Sequence, residues 1–177
     1  MQEQFISHPI PPTWNEHSEI LILGSFPSVK SREAAYFYGH PQNRFWRVQA
    51  ALFEESVPET KEERKAFLLR HHIAVWDVIA SCRITGSSDS SIKDVKVNDL
   101  TPILSGATIR QIFVNGKKAE ALYNRYLLPQ IGLHAACLPS TSPANAAWSM
   151  EKLLAVWKRI SIKDDSGTTK TRGMEKC

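Results

Sequence analysis

Four short apolar runs, each broken off by small and polar residues, constrain this chain more than any other feature. Leu21-Ile22-Leu23 gives way to Gly24-Ser25-Phe26-Pro27-Ser28, and Ile73-Ala74-Val75-Trp76-Asp77-Val78-Ile79 gives way to a serine-rich stretch. Gln111-Ile112-Phe113-Val114 ends at Asn115-Gly116, and the run from Leu133 to Leu138 ends in Pro139-Ser140-Thr141-Ser142-Pro143. Runs this short and this continuously apolar fit strands buried on both faces, which belong to parallel sheets. Segments of helical periodicity separate them, and parallel strands need such crossovers. The expected fold is α/β: a three-layer α/β/α sandwich around a central, mainly parallel four-stranded sheet. In such a sheet the polar breaks share one edge, where ligands of open α/β sheets bind.

The segments between the runs are read as follows. Residues 1–18 form an irregular lead-in, with Phe5, Ile10 and Trp14 lying against the domain, and the first strand covers 19–23. Residues 28–42 are loop-like, with an aromatic cluster at Tyr36-Phe37-Tyr38 and turn signals at Gly39 and Pro41. A helix over 43–52 places Phe45, Val48, Gln49 and Leu52 on one face, and Thr60-x-x-Glu63 is a capping box for a second helix ending near Arg70. The second strand covers 73–79, followed by a polar loop over 81–94, a short helix over 98–104 and a third strand over 111–114. A helix over 117–127, a fourth strand over 133–138 and a last helix over 144–160 complete the pattern. Trp46, Trp148 and Trp157 fall at helical spacing, as core residues do. Residues 1–162 are expected to form a single domain, and residues 163–177, which are polar, a disordered tail.

Composition narrows the chemistry. The 177 residues are enough for one domain with a proper core, and 42% hydrophobic with 23% charged residues is ordinary for a soluble protein. No apolar run approaches bilayer length and the N-terminus carries no leader pattern, so a cytoplasmic protein with no membrane attachment is expected. Cys82, Cys137 and Cys177 are too scattered for a disulfide framework or a Cys-x-x-Cys metal site. A net charge of +4 is compatible with a polyanionic partner. His-Glu-x-x-His, Asp-rich and phosphate-binding Gly-x-x-x-x-Gly-Lys patterns are absent, so neither a metal nor a cofactor is expected. Gly24-Ser25 does not lie in a Gly-x-Ser-x-Gly elbow. What remains suits hydrolysis in which an amide or carboxylate orients a water while backbone N–H groups stabilise a leaving anion.

Three segments at the predicted edge carry a resemblance. Gly24-Ser25-Phe26-Pro27-Ser28, then Tyr38-Gly39-His40-Pro41-Gln42-Asn43-Arg44-Phe45-Trp46, then Leu138-Pro139-Ser140-Thr141-Ser142-Pro143-Ala144 resemble the uracil-DNA glycosylase superfamily. The likeness is closest to the branch of hypoxanthine-DNA (deoxyinosine) glycosylases, and the Gly24-to-Trp46 spacing also resembles the mismatch-specific uracil enzymes. Trp76-Asp77-Val78 and Gly86-Ser87-x-Asp89-Ser90-Ser91-Ile92 are similar to further marks of the hypoxanthine branch, and the likeness spans residues 18–160. It implies a monofunctional glycosylase that flips a deaminated nucleotide out of DNA, double- or single-stranded, and hydrolyses its N-glycosidic bond, acting as a monomer. It further implies a base pocket from Gly24, Ser25, Phe26, Pro27, Ser28, Tyr38 and His40, with Tyr38 stacking on the base. Asn43 would supply the water-orienting amide; Ser140, Thr141, Ser142 and Pro143 would enter the minor groove and, with Lys117, contact phosphates. Asp77 and Asp89 are secondary candidates. The wider superfamily has an Asn or Asp where this chain has Phe26, and its best-known uracil enzymes have a His where this chain has Leu138; both departures point away from uracil.

Each residue also has a plainer reading. Asn43, Asp89 and Ser140 to Ser142 can be helix or turn caps, Tyr38 and Phe26 packing aromatics, and His40 the acceptor in a His-Pro turn. Asp77 can be an acceptor ordering the serine loop, and Lys117 a solvated cation at a helix start, where positive charge is disfavoured. The competing functions are a non-catalytic nucleic-acid-binding module on the same fold, a glycosylase acting mainly on uracil or xanthine, and a nucleoside hydrolase. The first of these is motivated by the missing amide in the first loop, and the last has no use for a groove-probing loop.

Overall fold

A computed structural model describes residues 2–86 and 88–161; of Asp89 only the backbone is described. Ser87 and the predicted tail from residue 163 lie outside the described residues. At the centre is β2 (Ile20–Gly24), flanked by β3 (Ile73–Asp77) and β6 (Gln111–Asn115), with β7 (Ala135–Leu138) beyond β6. The four strands run parallel in the order β3-β2-β6-β7, as expected. Along β2 the side chains alternate between two cores: Ile22 packs with Val75, Phe113 and Phe45, while Leu21 and Leu23 pack with Ala74, Ile112 and Val114. This period-two alternation between two dry faces is why the sequence reads as an unbroken apolar run.

The first core is roofed by α2 (Phe45–Leu52), α3 (Lys61–Arg70) and α7 (Met150–Trp157), and Trp46 and Trp157 lie inside it. Trp148 is only half-buried, at its margin. The capping box of α3 forms as predicted: Thr60 Oγ1 accepts from Glu63 N at 3.1 Å, and Glu63 returns a carboxylate oxygen to Thr60 N at 3.2 Å. The second core is covered by α4 (Thr101–Gly106) and by α5 (Lys117–Leu122), which continues through a widened turn (Tyr123–Leu127) into α6 (Leu128–Ile131).

A second sheet, antiparallel and in the order β1-β4-β5, covers part of this face, and sequence reading missed it. It is built from β1 (Glu3–Ser7), β4 (Ile79–Thr85) and β5 (Lys93–Val97). The lead-in over 1–18 is therefore not wholly irregular, and 81–94 is not one polar loop. The apolar run over 73–79 is two strands. After Asp77 the chain turns, with Val78 N bonded to Gly24 O at 2.8 Å and Ile79 N to Ser25 O at 3.1 Å, and it enters the other sheet. The signal was weak because this sheet has one wet face, where Glu3, Arg83, Lys93 and Asp94 pair across strands and Phe5 is 58% exposed rather than packed. The rest of the lead-in fulfils its expectation: Ile10 is buried, Trp14 covers Gly106, and Thr13 bridges to the edge of β3 at Val75.

Further boundaries differ, among them the short helix expected over 98–104, which is α4 over Thr101–Gly106. The stretch read as loop holds α1 (Val29–Ala34), started by Ser28, whose Oγ accepts from Ser31 N at 3.1 Å. The last helix begins at Met150 rather than at residue 144, because Ser149 caps it and residues 144–149 are held outside the helix by Arg44. Gln49 sits on the buried face of α2 as the periodicity required, yet neither of its amide atoms has a hydrogen-bond partner. Burying an unpaired polar group costs about 1–3 kcal/mol. Gln49→Met should therefore raise the unfolding free energy by about 1–2 kcal/mol. Thermal denaturation should show Tm higher by about 2–8 °C.

Candidate active site

The carboxyl edge of the parallel sheet is organised around Gly24. Register places Asp77 beside it, and a Cβ built on Gly24 would lie 2.3 Å from Asp77 Oδ1 and 3.3 Å from Tyr38 Oη. Only glycine leaves room for two oxygens against one Cα. The other carboxylate oxygen of Asp77 is 2.7 Å from Nε2 of His8, and both side chains are almost fully buried. His8 Nδ1 accepts the Ile10 backbone N–H at 3.1 Å, so the ring proton sits on Nε2 and is donated to Asp77. The backbone oxygen of Asp77 takes Asn98 Nδ2 at 2.9 Å. Asp77 is thus an acceptor, but for His8 and Asn98 rather than for the serine loop. His8 was not singled out from sequence; it arrives here because β1 pairs with the strand that follows Asp77.

The first loop spends most of its polar groups on neighbouring segments of the chain. The carbonyls of Gly24 and Ser25 take the N–H groups of Val78 and Ile79, and Pro27 is buried. Ser28 caps α1 and bonds Ser31 Oγ at 3.1 Å, which in turn accepts Gly39 N at 3.0 Å and so ties the first loop to a second, the Tyr38–Arg44 segment between α1 and α2. Phe26 is half-buried, edge-on to His8 at 5.9 Å, with the Arg32 guanidinium 5.8 Å above its ring. Tyr38 has φ of 53°, in the left-handed region, and one face of its ring is committed to Phe45, 4.0 Å away and nearly parallel. Its hydroxyl is buried and makes no hydrogen bond of good geometry, although the Asn115 side chain lies within its reach. Burial, reinforced by the nearby Asp77 carboxylate, pushes the phenol far above its ordinary value, so it stays protonated.

The second and fourth loops are fastened together. Asn43 Oδ1 accepts Phe45 N at 2.9 Å, so the capping role exists; an amide oxygen has a second lone pair, and the residue is half-exposed. His40 Nδ1 accepts Gln42 N at 3.1 Å, the turn role weighed for it. Arg44 N donates to Thr141 O at 3.0 Å, and the Arg44 guanidinium donates to the carbonyls of Trp148, Ser142 (3.3 Å) and Asn145 (3.1 Å). Thr141 is fully buried: its Oγ1 accepts Asn115 Nδ2 and its N–H donates to Asn115 Oδ1, both at 3.1 Å. Its polar groups thus lock this loop to the end of β6, the capping role rather than an open face. Ser140 Oγ accepts Ser142 N and Ser142 Oγ accepts Ala144 N, so the two hydroxyls shape a loop whose tip, Pro143 and Ala144, is exposed. Lys117 is exposed next to Gly116, which has φ of 95° and is packed against Ser140. Asn115 was legible as the polar close of an apolar run but was not named as a site residue. The Asp89 side chain lies outside the described residues, and no metal-binding cluster occurs among those described.

Fold and edge together define an α/β protein in which the strand-end loops and the Tyr38–Asn43 segment gather at the carboxyl edge of the parallel sheet. The profile of the Uracil DNA glycosylase superfamily matches residues 11–161, and the chain belongs to that superfamily. A hypoxanthine DNA glycosylase from Methanosarcina acetivorans is 36% identical over 149 residues, covering 83% of this chain and 93% of the relative. Another from Methanosarcina barkeri is 34% identical over 137 residues, covering 76% and 85% respectively. An NMR structure from M. acetivorans, provisionally described as a uracil DNA glycosylase, superposes with a TM-score of 0.74 at 32% identity, covering 90% of this chain and all of that one.

Arg44 is the side chain on which the meeting of the second and fourth loops most depends. Arg44→Ala removes charge-assisted bonds to three partly buried carbonyls and should lower stability by about 1.5–3 kcal/mol in urea unfolding.

Proposed function

We propose that this protein is a monofunctional DNA glycosylase that releases hypoxanthine from deoxyinosine in DNA and leaves an abasic site. Two relatives named as hypoxanthine DNA glycosylases, each similar over more than three quarters of this chain, support the substrate. The observation that carries the mechanism is the first loop: Phe26 packs on His8, and the loop holds no amide or carboxylate side chain. The water-orienting group then comes from the second loop, from Asn43. The base is flipped out of the stack because its glycosidic bond cannot be reached inside a duplex. The free lone pair of Asn43 Oδ1 accepts a hydrogen of one water and aims its oxygen at C1′. The C1′–O bond forms as the C1′–N9 bond breaks, the bonding pair leaves with the base, and the surplus water proton passes to solvent. Ser142 and the Pro143 tip enter the groove and Lys117 contacts phosphate, on double- or single-stranded DNA. The working unit is residues 1–162 as a cytoplasmic monomer; no described helix is long and apolar enough to cross a membrane.

Duplexes carrying one hypoxanthine, uracil or xanthine, treated with protein in EDTA and then with alkali, test this reading. Strand cleavage at hypoxanthine is expected. Asn43→Ala should reduce it by about 100-fold or more while DNA affinity stays within about threefold. Near-normal activity in that variant would transfer the role to Asp77 or Asp89. DNA binding with no base released would favour a non-catalytic module.

A further inference from the structure

Arg32, Arg44 and Arg64 are the half-buried arginines among the described residues, and they are not equally satisfied. Arg44 donates to the carbonyls of Ser142, Asn145 and Trp148. Arg64 Nε donates to Pro58 O at 3.2 Å while its guanidinium lies over Trp46. The Arg32 guanidinium meets the ring of Phe26, 5.8 Å away, and has neither a hydrogen-bond acceptor nor an ion-pair partner. The adjacent carboxylate, Glu33, is paired with Lys30 at 3.3 Å, and Asp77 is held by His8. Cys82 lies within the field of Arg32, but burial pushes its thiol up, so it stays neutral and supplies no counter-charge. Contact with a ring face uses the positive charge and no acceptor atom, so the N–H donors of Arg32 remain unspent.

Arg32 stands one turn into α1, and helix side chains lean toward the start of their helix. Its side chain therefore runs back to Phe26, in the loop that leaves β2 at the carboxyl edge of the sheet. A half-buried cation with unspent donors and no counter-ion in its own chain is suited to an anion that arrives from outside. Resting on the glycosylase reading, in which DNA lies along this edge, we propose that Arg32 binds a backbone phosphate of the strand that carries the flipped nucleotide. A phosphodiester accepts paired N–H bonds from a guanidinium, and Phe26 holds that guanidinium in place before DNA arrives. The first loop is the proposed base pocket and Arg32 rests on it, so the phosphate within its reach belongs to the flipped nucleotide or its neighbour. Arg32 then fixes the backbone beside the bond that breaks, while Asn43 aims water at C1′.

Duplexes carrying a 2′-fluoro-arabino hypoxanthine nucleotide, which resists hydrolysis, provide the test. A neutral methylphosphonate replaces each phosphate flanking that nucleotide, one at a time and on either strand. At one position on the hypoxanthine strand the neutral linkage should weaken wild-type binding about tenfold. The same linkage should change binding by Arg32→Gln less than about twofold, because the contact is already gone. On the unmodified duplex Arg32→Gln should bind about tenfold more weakly at low salt, with the slope of log Kd against log salt shallower by about 0.9. Arg32→Lys keeps the charge and should restore that slope. A residue that only supports the Phe26 ring would cost the Gln variant affinity equally on every duplex and leave the slope unmoved, which overturns the proposal. So does a scan in which no phosphate felt by the wild type loses its effect in Arg32→Gln, or in which the one that does lies on the opposite strand. The alkaline cleavage assay fails independently: no base released by the wild type defeats the glycosylase reading, whereas the methylphosphonate scan still decides whether Arg32 grips a phosphate.

Discussion

Asp77 Oδ1 occupies the space that any side chain at Gly24 would fill, and that close approach shapes the rest of the site. It sets two parallel strands with their ends in register, one closing in glycine and the other in a carboxylate. A buried carboxylate needs a donor, and His8 supplies one from a distant part of the chain. For His8 to be there, β1 must lie along β4, and for β4 to be there, the chain must leave the parallel sheet directly after Asp77. The second sheet is thus the scaffold that holds a histidine against a strand end.

The other half of the site depends on Arg44. One guanidinium reaches carbonyls of Ser142, Asn145 and Trp148, and these partners keep residues 144–149 out of the last helix. The segment carrying Asn43 and the loop carrying the Pro143 tip therefore form one unit, fixed to the sheet through Thr141 and Asn115. In the proposed reaction the water-orienting amide and the groove-probing tip would share that mount, so their separation is set by hydrogen bonds rather than by loop flexibility. Membership of the Uracil DNA glycosylase superfamily accords with loops of this kind at the carboxyl edge of a four-stranded parallel sheet.

The central sheet was legible because β2, β3, β6 and β7 are buried on both faces, and such burial leaves short apolar runs broken off by polar residues. The helix after Thr60 was legible because its cap is local, four residues making both bonds. The three-stranded sheet was not, because Glu3, Arg83 and Lys93 on its wet face look like any solvated segment until the strands are paired. Asn43 and His40 could be placed in their turn, with the capping bonds as the plainer reading. Thr141 could not be told from its neighbours Ser140 and Ser142, since only its burial against Asn115 removes it from the surface.

By itself the sequence determined the parallel sheet, the edge on which its loops gather and the motifs that place the chain in its superfamily. Each of these is written in local periodicity or in contiguous residues. Tertiary structure alone decided that His8 faces Asp77, that Tyr38 Oη is buried over Gly24, and that Arg44 joins two loops. Those relations are made between residues far apart in the chain. They exist only once the strands have paired, because a side chain's partner is fixed by the register and burial of the element that brings it there.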